Sequence, residues 1–328
     1  MSQEEIIMSN TVETQFVFLT LVRSTRGIPR VRLLIDSIRS FGGDWRDGPI
    51  WLFETLSSSD HSPATQSSWA SLESVGVKVI PLNVPDAVRR YDFGDKVYAC
   101  AQAEARATGI QSLIWADLGV LFIQPPRLYD LGASFDAAVR PVHIKNVGLL
   151  ATEPLDGFWQ KVYQTVGVQD ISATEDSFVD TQHLRAYFNS HAFAVNPSTR
   201  LLRQWLECFE VLVGDQAFQS AYCQGERHQV FLHQAVLSTL IATRLDPQQH
   251  PRLQLCLEPL PIWGLIHFGM GGMLSLPRAW ALILVSATWL AASYASHGRN
   301  RTYGAFGQSS ICMDEVLSAK ADNQPLAH

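Results

Sequence analysis

The sequence predicts an α/β protein with a mostly parallel central sheet that helices cover on both faces. Its 328 residues are 47% hydrophobic and 17% charged, a composition that supports a folded core. Strand-like apolar runs alternate with helix-like segments between residues 15 and 117, and the connections between them are short. Because each strand returns to the sheet through a helix, this alternation indicates parallel strands.

The first strand is predicted at residues 15–22, where a continuous run of apolar β-formers is typical of a strand buried on both faces. The next segment has apolar residues at helical spacing up to Phe41. Pro29 lies early in that segment, where a helix tolerates proline. Gly42 and Gly43 then end the helix.

Three further strands are predicted at residues 49–54, 77–82 and 112–117, separated by helices around 68–74 and 94–109. The second half of the chain is less regular. There the pattern predicts strands at 135–142 and 186–196, and helices at 198–213 and 227–245.

The domain prediction is one domain over residues 1–265 followed by a C-terminal region over 266–328. That region contains an apolar segment at 279–296, which has 18 residues without a charge and so meets the lower limit for a membrane span. Its many Ala, Ser and Thr residues weaken insertion into a bilayer. We therefore expect a packed or interfacial helix there, which leaves peripheral membrane association open.

Composition also excludes some classes of function. The net charge of −6 and the absence of a basic run argue against general nucleic-acid binding. The first residues lack the basic and apolar regions of a signal peptide. Five scattered cysteines without a CxxC motif favour reduced thiols over disulfides or a zinc site. We therefore expect a cytoplasmic protein.

Candidate binding residues follow from the predicted sheet, since ligands of such sheets bind at the carboxyl ends of the strands. Asp117 lies at the end of the fourth predicted strand, and Thr20 and Arg23 lie at the end of the first. Taken alone, Asp117 could simply satisfy backbone groups of a turn.

The segment "LIWADLGVLFIQPP", which contains Asp117, resembles the metal-binding turn of GT-A-fold nucleotide-diphospho-sugar transferases. Within that group the segment resembles the glycogenin and lipopolysaccharide galactosyltransferase type. Three further stretches resemble family segments in the same order: "YDFGDKVYACAQAE", "YFNSHAFAVNPS" and "FLHQAVLSTLI". The resemblance implies a GT-A-type, Rossmann-like sheet and a glycosyltransferase that moves a sugar from a nucleotide-diphospho-sugar to an unknown acceptor.

The resemblance also implies roles for individual residues in donor binding. Arg23 and Arg26 would lie beside the nucleotide base and phosphates. Thr20 joins the same donor-binding set by its place near the end of the first strand. Lys96 would face the donor diphosphate. Asp117 would be the first carboxylate of the metal turn and would bind Mn²⁺ or Mg²⁺.

A second group of residues would surround the reacting sugar. By the same resemblance, Asn189 would lie near the donor sugar, and His233 and Gln234 near the reacting centre. His267, in "IHFGMGG", would be a further metal ligand.

The sequence departs from the family pattern after His267, where the usual Lys-Pro-Trp appears only as "LPRAW" with Arg278 as the possible cation, and at three single positions. Gly119 replaces the second carboxylate of the D-x-D motif, His191 replaces a glycine, and His233 replaces an aspartate. With fewer charged oxygens the site suits a hard cation poorly. Either metal binds weakly through the donor phosphates, or cations such as Lys96 and Arg23 replace it, or chemistry is lost. The last reading gives the alternative function: a catalytically inactive protein that binds a nucleotide-sugar or a partner.

Overall fold

A computed structural model describes residues 16–55, 62–132, 134–177, 179–244 and 253–255. Within these ranges nine strands are present: β1 (Phe16–Val22), β2 (Ile50–Glu54), β3 (Val77–Pro81), β4 (Ser112–Ala116), β5 (Ala137–Pro141), β6 (Thr174–Asp176), β7 (His183–Arg185), β8 (Phe188–Val195) and β9 (Leu253–Leu255).

Seven of these strands form one sheet in the order β3-β2-β1-β4-β8-β5-β9, and β6 and β7 form a separate antiparallel hairpin. Strands β3, β2, β1 and β4 pair in parallel, as do β5 and β9. Strand β8 runs antiparallel to both of its neighbours, β4 and β5. The predicted mostly parallel sheet is therefore confirmed.

The same ranges contain eight α-helices: α1 (Ile28–Phe41), α2 (Pro63–Glu73), α3 (Asp86–Arg89), α4 (Gly94–Arg106), α5 (Gly157–Val166), α6 (Leu201–Gly214), α7 (Gln216–Tyr222) and α8 (Glu226–Ala242). Helix α2 begins earlier than the sequence pattern predicted. Ser62 precedes Pro63 and its hydroxyl accepts a hydrogen bond from the Thr65 N–H at 3.2 Å, which is a standard helix start.

Two apolar cores lie on the two faces of the sheet. Alternate residues of β1 point to opposite faces, so Leu19 and Phe18 belong to different cores. Helices α4, α5, α6 and α8 contribute to the core that contains Leu19 and Trp115, and α1 and α2 contribute to the core that contains Phe18 and Ile114. The prediction of helices on both faces is confirmed.

Within the part of the chain that the structure describes, no helix combines the length and the apolar character that a bilayer crossing needs. The segment 279–296 lies outside the described residues, and the boundary between residues 265 and 266 stays a prediction.

Candidate active site

Asp117 lies at the carboxyl end of β4, beside the first residues of β8. Its backbone N–H donates to the His191 carbonyl oxygen at 2.9 Å, and Ala116 pairs with Ala192 in the antiparallel ladder. Because β8 runs opposite to β4, its first residues meet the end of β4 at the edge where ligands of parallel sheets bind. The sheet thus brings together two segments that are 74 residues apart.

Three side chains donate to the Asp117 carboxylate. Lys96 Nζ donates to Oδ2 at 2.7 Å, and His191 Nδ1 lies 2.8 Å from the same oxygen. Since a carboxylate only accepts hydrogen bonds, His191 Nδ1 carries its hydrogen. Trp115 Nε1 donates to Oδ1 at 2.7 Å. Both carboxylate oxygens are therefore engaged by donors from the protein.

The charge of Asp117 is fixed by opposing effects. Burial would raise the pKa of Asp117, because its side chain is only 15% exposed. The Lys96 ammonium and the hydrogen bond from His191 outweigh burial, so the pKa lies below its usual range. Asp117 is consequently ionised in the folded protein at neutral pH.

Lys96 is enclosed rather than exposed, although it lies in the first turn of α4. It is 1% exposed, its ammonium also donates to the Ser190 carbonyl oxygen at 3.1 Å, and Nζ lies 4.7 Å from the centre of the Phe93 ring. The ammonium thus links α4 to the Asp117 carboxylate at the end of β4 and to the backbone of β8. The predicted contact between Lys96 and a donor phosphate stays a prediction.

Arg23 follows β1 and supplies a more exposed cation. Its Nε donates to Asp95 Oδ2 at 2.5 Å, a second guanidinium nitrogen bonds to Oδ1, and its side chain is 43% exposed. Its guanidinium lies 5.7 Å from the centre of the Phe93 ring. Asp95 Oδ1 also accepts from the Lys96 N–H at 3.0 Å, which connects Arg23 to the start of α4. Arg26 is exposed in the turn after β1.

A buried cluster of three polar side chains, Ser190, His233 and Gln234, lies between β8 and α8. His233 Nδ1 lies 2.8 Å from the Val230 carbonyl oxygen and therefore carries the hydrogen, while Nε2 lies 2.9 Å from the Ser190 hydroxyl. The Gln234 side-chain oxygen lies 3.1 Å from that hydroxyl. Burial, together with the charge of Lys96, lowers the pKa of His233 well below its usual range. His233 is therefore neutral.

The remaining predicted residues differ in position. Asn189 is half-buried, and its side-chain oxygen accepts from the His191 N–H at 2.7 Å, so it belongs to the same edge. Thr20 lies within β1 and is buried, and within the described ranges its hydroxyl has no hydrogen-bond partner. His267 lies outside the described residues.

Sequence reasoning missed three side chains of this site. Phe93 contacts the Arg23 and Lys96 cations, and its ring centre lies 4.8 Å from that of His233. Asp95 holds Arg23, and Trp115 holds Asp117. Trp115 could have been found, because residues two apart in a strand point to the same face. The roles of Phe93 and Asp95 depend on contacts with a distant segment.

The donor set at Asp117 does not fit a divalent cation. Hard cations require several free oxygen ligands, whereas the oxygens of Asp117 already accept from an ammonium, an imidazole and an indole. Among the residues that the structure describes, no group of three or more His, Cys, Asp or Glu side chains could hold a metal ion.

Comparison with protein families adds independent information. The sequence model of the Rhodobacterales glycosyltransferase domain family matches residues 26–244. The chain belongs to this family. This match confirms the prediction of a glycosyltransferase. The match also favours sugar transfer over the alternative of an inactive binding protein. A search of curated proteins found no match.

Several solved structures resemble this member of the Rhodobacterales glycosyltransferase domain family. The galactosyltransferase LgtC, in complex with donor and acceptor sugar analogues, is 14% identical with a TM-score of 0.40, over 73% of this chain and 72% of that chain. Mouse xyloside xylosyltransferase 1 is 12% identical with a TM-score of 0.37, over 73% and 84%. The bifunctional glycosyltransferase WbbM is 11% identical with a TM-score of 0.39, over 76% and 39%. Because these TM-scores are below 0.5, the family assignment rests on the match over residues 26–244.

Proposed function

We propose that this glycosyltransferase transfers a sugar from a nucleotide-diphospho-sugar to an acceptor at the carboxyl edge of β1 and β4. The observation that carries the proposal is the linked set of charges at this edge, in which Asp95 connects Arg23 to the first turn of α4 and Lys96 connects that turn to Asp117. A linked set of this kind fixes the positions of charged groups before a ligand binds.

Donor binding is assigned to the exposed cations at the end of β1. Arg23 and Arg26 are exposed, and a guanidinium can bind a phosphate through two parallel hydrogen bonds. Asp95 orients the Arg23 guanidinium through two contacts, which reduces the entropy lost when a phosphate binds. The Phe93 ring limits the movement of Arg23 from one side.

Transfer breaks the bond between the sugar carbon and a phosphate oxygen, so negative charge develops on the departing diphosphate. A fixed cation near that oxygen stabilises the transition state more than the ground state. We assign this role to Arg23. The half-exposed side chains of Asn189 and His191 lie on the same edge and would contact the donor sugar.

His233 and Gln234 receive a positioning role in this proposal. Both are buried, and both contact the Ser190 hydroxyl. Since Ser190 precedes His191 in β8, the two side chains would fix the backbone from which His191 reaches Asp117. They would act on the reaction through β8 and not by touching the sugar.

The test is a thermal-shift screen of the full chain against UDP-, GDP- and dTDP-sugars, with CMP-sugars, which carry a single phosphate, as the contrast. A ligand that binds only the folded protein raises its melting temperature. We expect a shift with one nucleotide class, and we expect Arg23→Gln to abolish it. Arg203→Gln is the matched control, because Arg203 also pairs with a carboxylate and is 39% exposed.

Turnover is then measured as release of the nucleoside diphosphate from the donor that produced the shift. Slow release in the absence of an acceptor and faster release with an acceptor would support transfer. If the folded protein shifts with no nucleotide-diphospho-sugar of the screen, the proposed function is wrong.

A further inference from the structure

The Asp117 carboxylate is already neutralised by the protein. Oδ2 accepts from the Lys96 ammonium at 2.7 Å and from His191 at 2.8 Å, and Oδ1 accepts from the Trp115 indole at 2.7 Å. Two carboxylate oxygens offer about four acceptor positions, so three of the four are in use. A divalent cation could reach Oδ2 only by displacing the ammonium or the imidazole.

Displacement of that ammonium is opposed by its surroundings. Lys96 is 1% exposed, so its charge cannot move into water without rearrangement of α4. Its Nζ also donates to the Ser190 carbonyl and lies against the Phe93 ring. These contacts hold the charge at one place, as coordination would hold a metal ion.

The charges near Asp117 also disfavour a second cation. The Lys96–Asp117 pair has no net charge, and position 119 is glycine, so no second carboxylate follows Asp117 in the turn. A hard cation that loses part of its hydration shell here would gain little attraction in return.

We propose that Lys96 is a built-in cation that takes the place of a divalent metal ion at Asp117, and that the donor diphosphate is bound without metal. The second part rests on the proposed function, because it assumes that a nucleotide-diphospho-sugar is the donor. Lys96 is then a positioning residue: it fixes Asp117, and Asp117 orients the His191 imidazole through Nδ1. Exposed cations such as Arg23 contact the phosphates.

The first experiment needs no donor. Binding of Mn²⁺ alone to the full chain is measured by the loss of the electron paramagnetic resonance signal of free Mn²⁺, for the unmodified protein and for Asp117→Asn. We expect the same binding curve for both. An Mn²⁺ ion that binds the unmodified protein and is lost in folded Asp117→Asn would overturn the inference.

The second experiment needs no variant and also separates the inference from the proposed function. Binding of UDP, GDP, CDP and dTDP to the unmodified chain is measured with EDTA and with excess Mn²⁺. We expect the dissociation constant of the bound nucleotide to differ by less than about twofold between the two conditions. Binding that requires Mn²⁺ would overturn the inference and leave the proposed function intact. Absence of binding under both conditions would overturn both.

A third measurement tests the claim that the Lys96 ammonium occupies the place of a metal ion at Asp117. Removal of the ammonium in Lys96→Ala leaves Asp117 without its counter-ion, so we expect Mn²⁺ to bind this variant more tightly than the unmodified chain, but weakly, since Asp117 is then a single carboxylate ligand. Lys161→Ala is the matched control, since Lys161 pairs with Asp215 at 2.8 Å outside the site. If Lys96→Ala has a folded circular dichroism spectrum and binds no more Mn²⁺ than Lys161→Ala, the claim is wrong.

Discussion

Lys96 Nζ lies 2.7 Å from Asp117 Oδ2, and this buried ion pair joins the first turn of α4 to the end of β4. The pair has a structural role as well as the role proposed above. A buried pair loses hydration on folding, so its net contribution to stability is modest, but removal of one partner leaves an unpaired buried charge.

The first prediction concerns this asymmetry. Lys96→Met should lower the free energy of unfolding by about 3 kcal/mol, because Asp117 remains in a largely buried position without its counter-ion. The double variant Lys96→Met, Asp117→Asn should recover part of the loss. Urea unfolding of the unmodified chain, the two single variants and the double variant gives the coupling energy between Lys96 and Asp117.

Lys161→Met serves as the control for this cycle. Its ion pair with Asp215 has a similar length, but the side chains are 34% and 25% exposed. It should cost much less than Lys96→Met, because solvent screens an exposed pair. Equal losses in the two variants would contradict the interpretation of the Lys96–Asp117 pair.

The second prediction concerns Glu175 in β6, which is 7% exposed. Its Oε1 accepts from the Tyr187 N–H at 2.9 Å, and Oε2 has no hydrogen-bond partner within the described ranges. Burial raises the pKa of Glu175 from 4.5 to about 8, and the charge of Asp176 adds to this effect. The folded protein therefore retains a proton that the unfolded chain has lost between these pH values.

The sign of the pH effect follows from this difference. The contribution of Glu175 to stability is fully present below pH 4.5 and is lost as the pH rises through about 8. Glu175→Gln should remove this dependence and make the protein more stable than the unmodified chain above pH 8, by on the order of 3 kcal/mol. Chemical unfolding of both proteins between pH 4.5 and a pH above 8 tests this prediction. Glu73→Gln, which changes an exposed glutamate, should leave the dependence in place.

The third prediction concerns His233. Its pKa lies below the ordinary value of 6.5, so the unfolded chain binds more protons than the folded protein as the pH falls below 6.5. Stability should therefore fall in that range, and His233→Gln should reduce the slope. Nuclear magnetic resonance of the imidazole should detect hydrogen on Nδ1 only. A protonated ring at pH 6 in the folded protein would contradict the assignment.

The fourth prediction concerns the Phe93 ring, which contacts the cations Arg23 and Lys96. Phe93→Leu keeps an apolar side chain but removes the aromatic face that attracts both charges. We expect donor affinity to fall by about tenfold with a loss of about 1 kcal/mol in stability. Calorimetric titration of the nucleoside diphosphate and urea unfolding measure the two effects. Unchanged affinity would mean that Phe93 does not hold Arg23 in place.

Local patterns were sufficient to predict most of the sheet. The run of apolar β-formers at residues 15–22 and the alternation that follows depend on neighbouring residues only, and β1 to β4 occur where they were expected. The position of Asp117 directly after β4 followed from the same pattern. The apolar pattern alone predicts a late start for helix α2, because residues 63–68 are mostly polar or small, whereas the cap at Ser62 and the proline at Pro63 start the helix earlier.

The contacts of the site were harder to predict, because they join distant segments. Lysine is usually exposed, and nothing within α4 shows that Lys96 is buried. Its partners Asp117 and Ser190 are 21 and 94 residues away. The antiparallel direction of β8 depends on pairing with β4 and β5, which a local pattern does not specify.

The direction of β8 also affects when the site can exist during folding. The pair between Asp117 and His191 requires β8 to lie beside β4, and a loop closed over 74 residues forms late compared with neighbouring contacts. A chain that has assembled only β1 to β4 already contains Lys96 and Asp117 but lacks the strand beside them. Recovery of sugar transfer in a refolding protein would therefore mark the pairing of β8 with β4, and not formation of the parallel half alone.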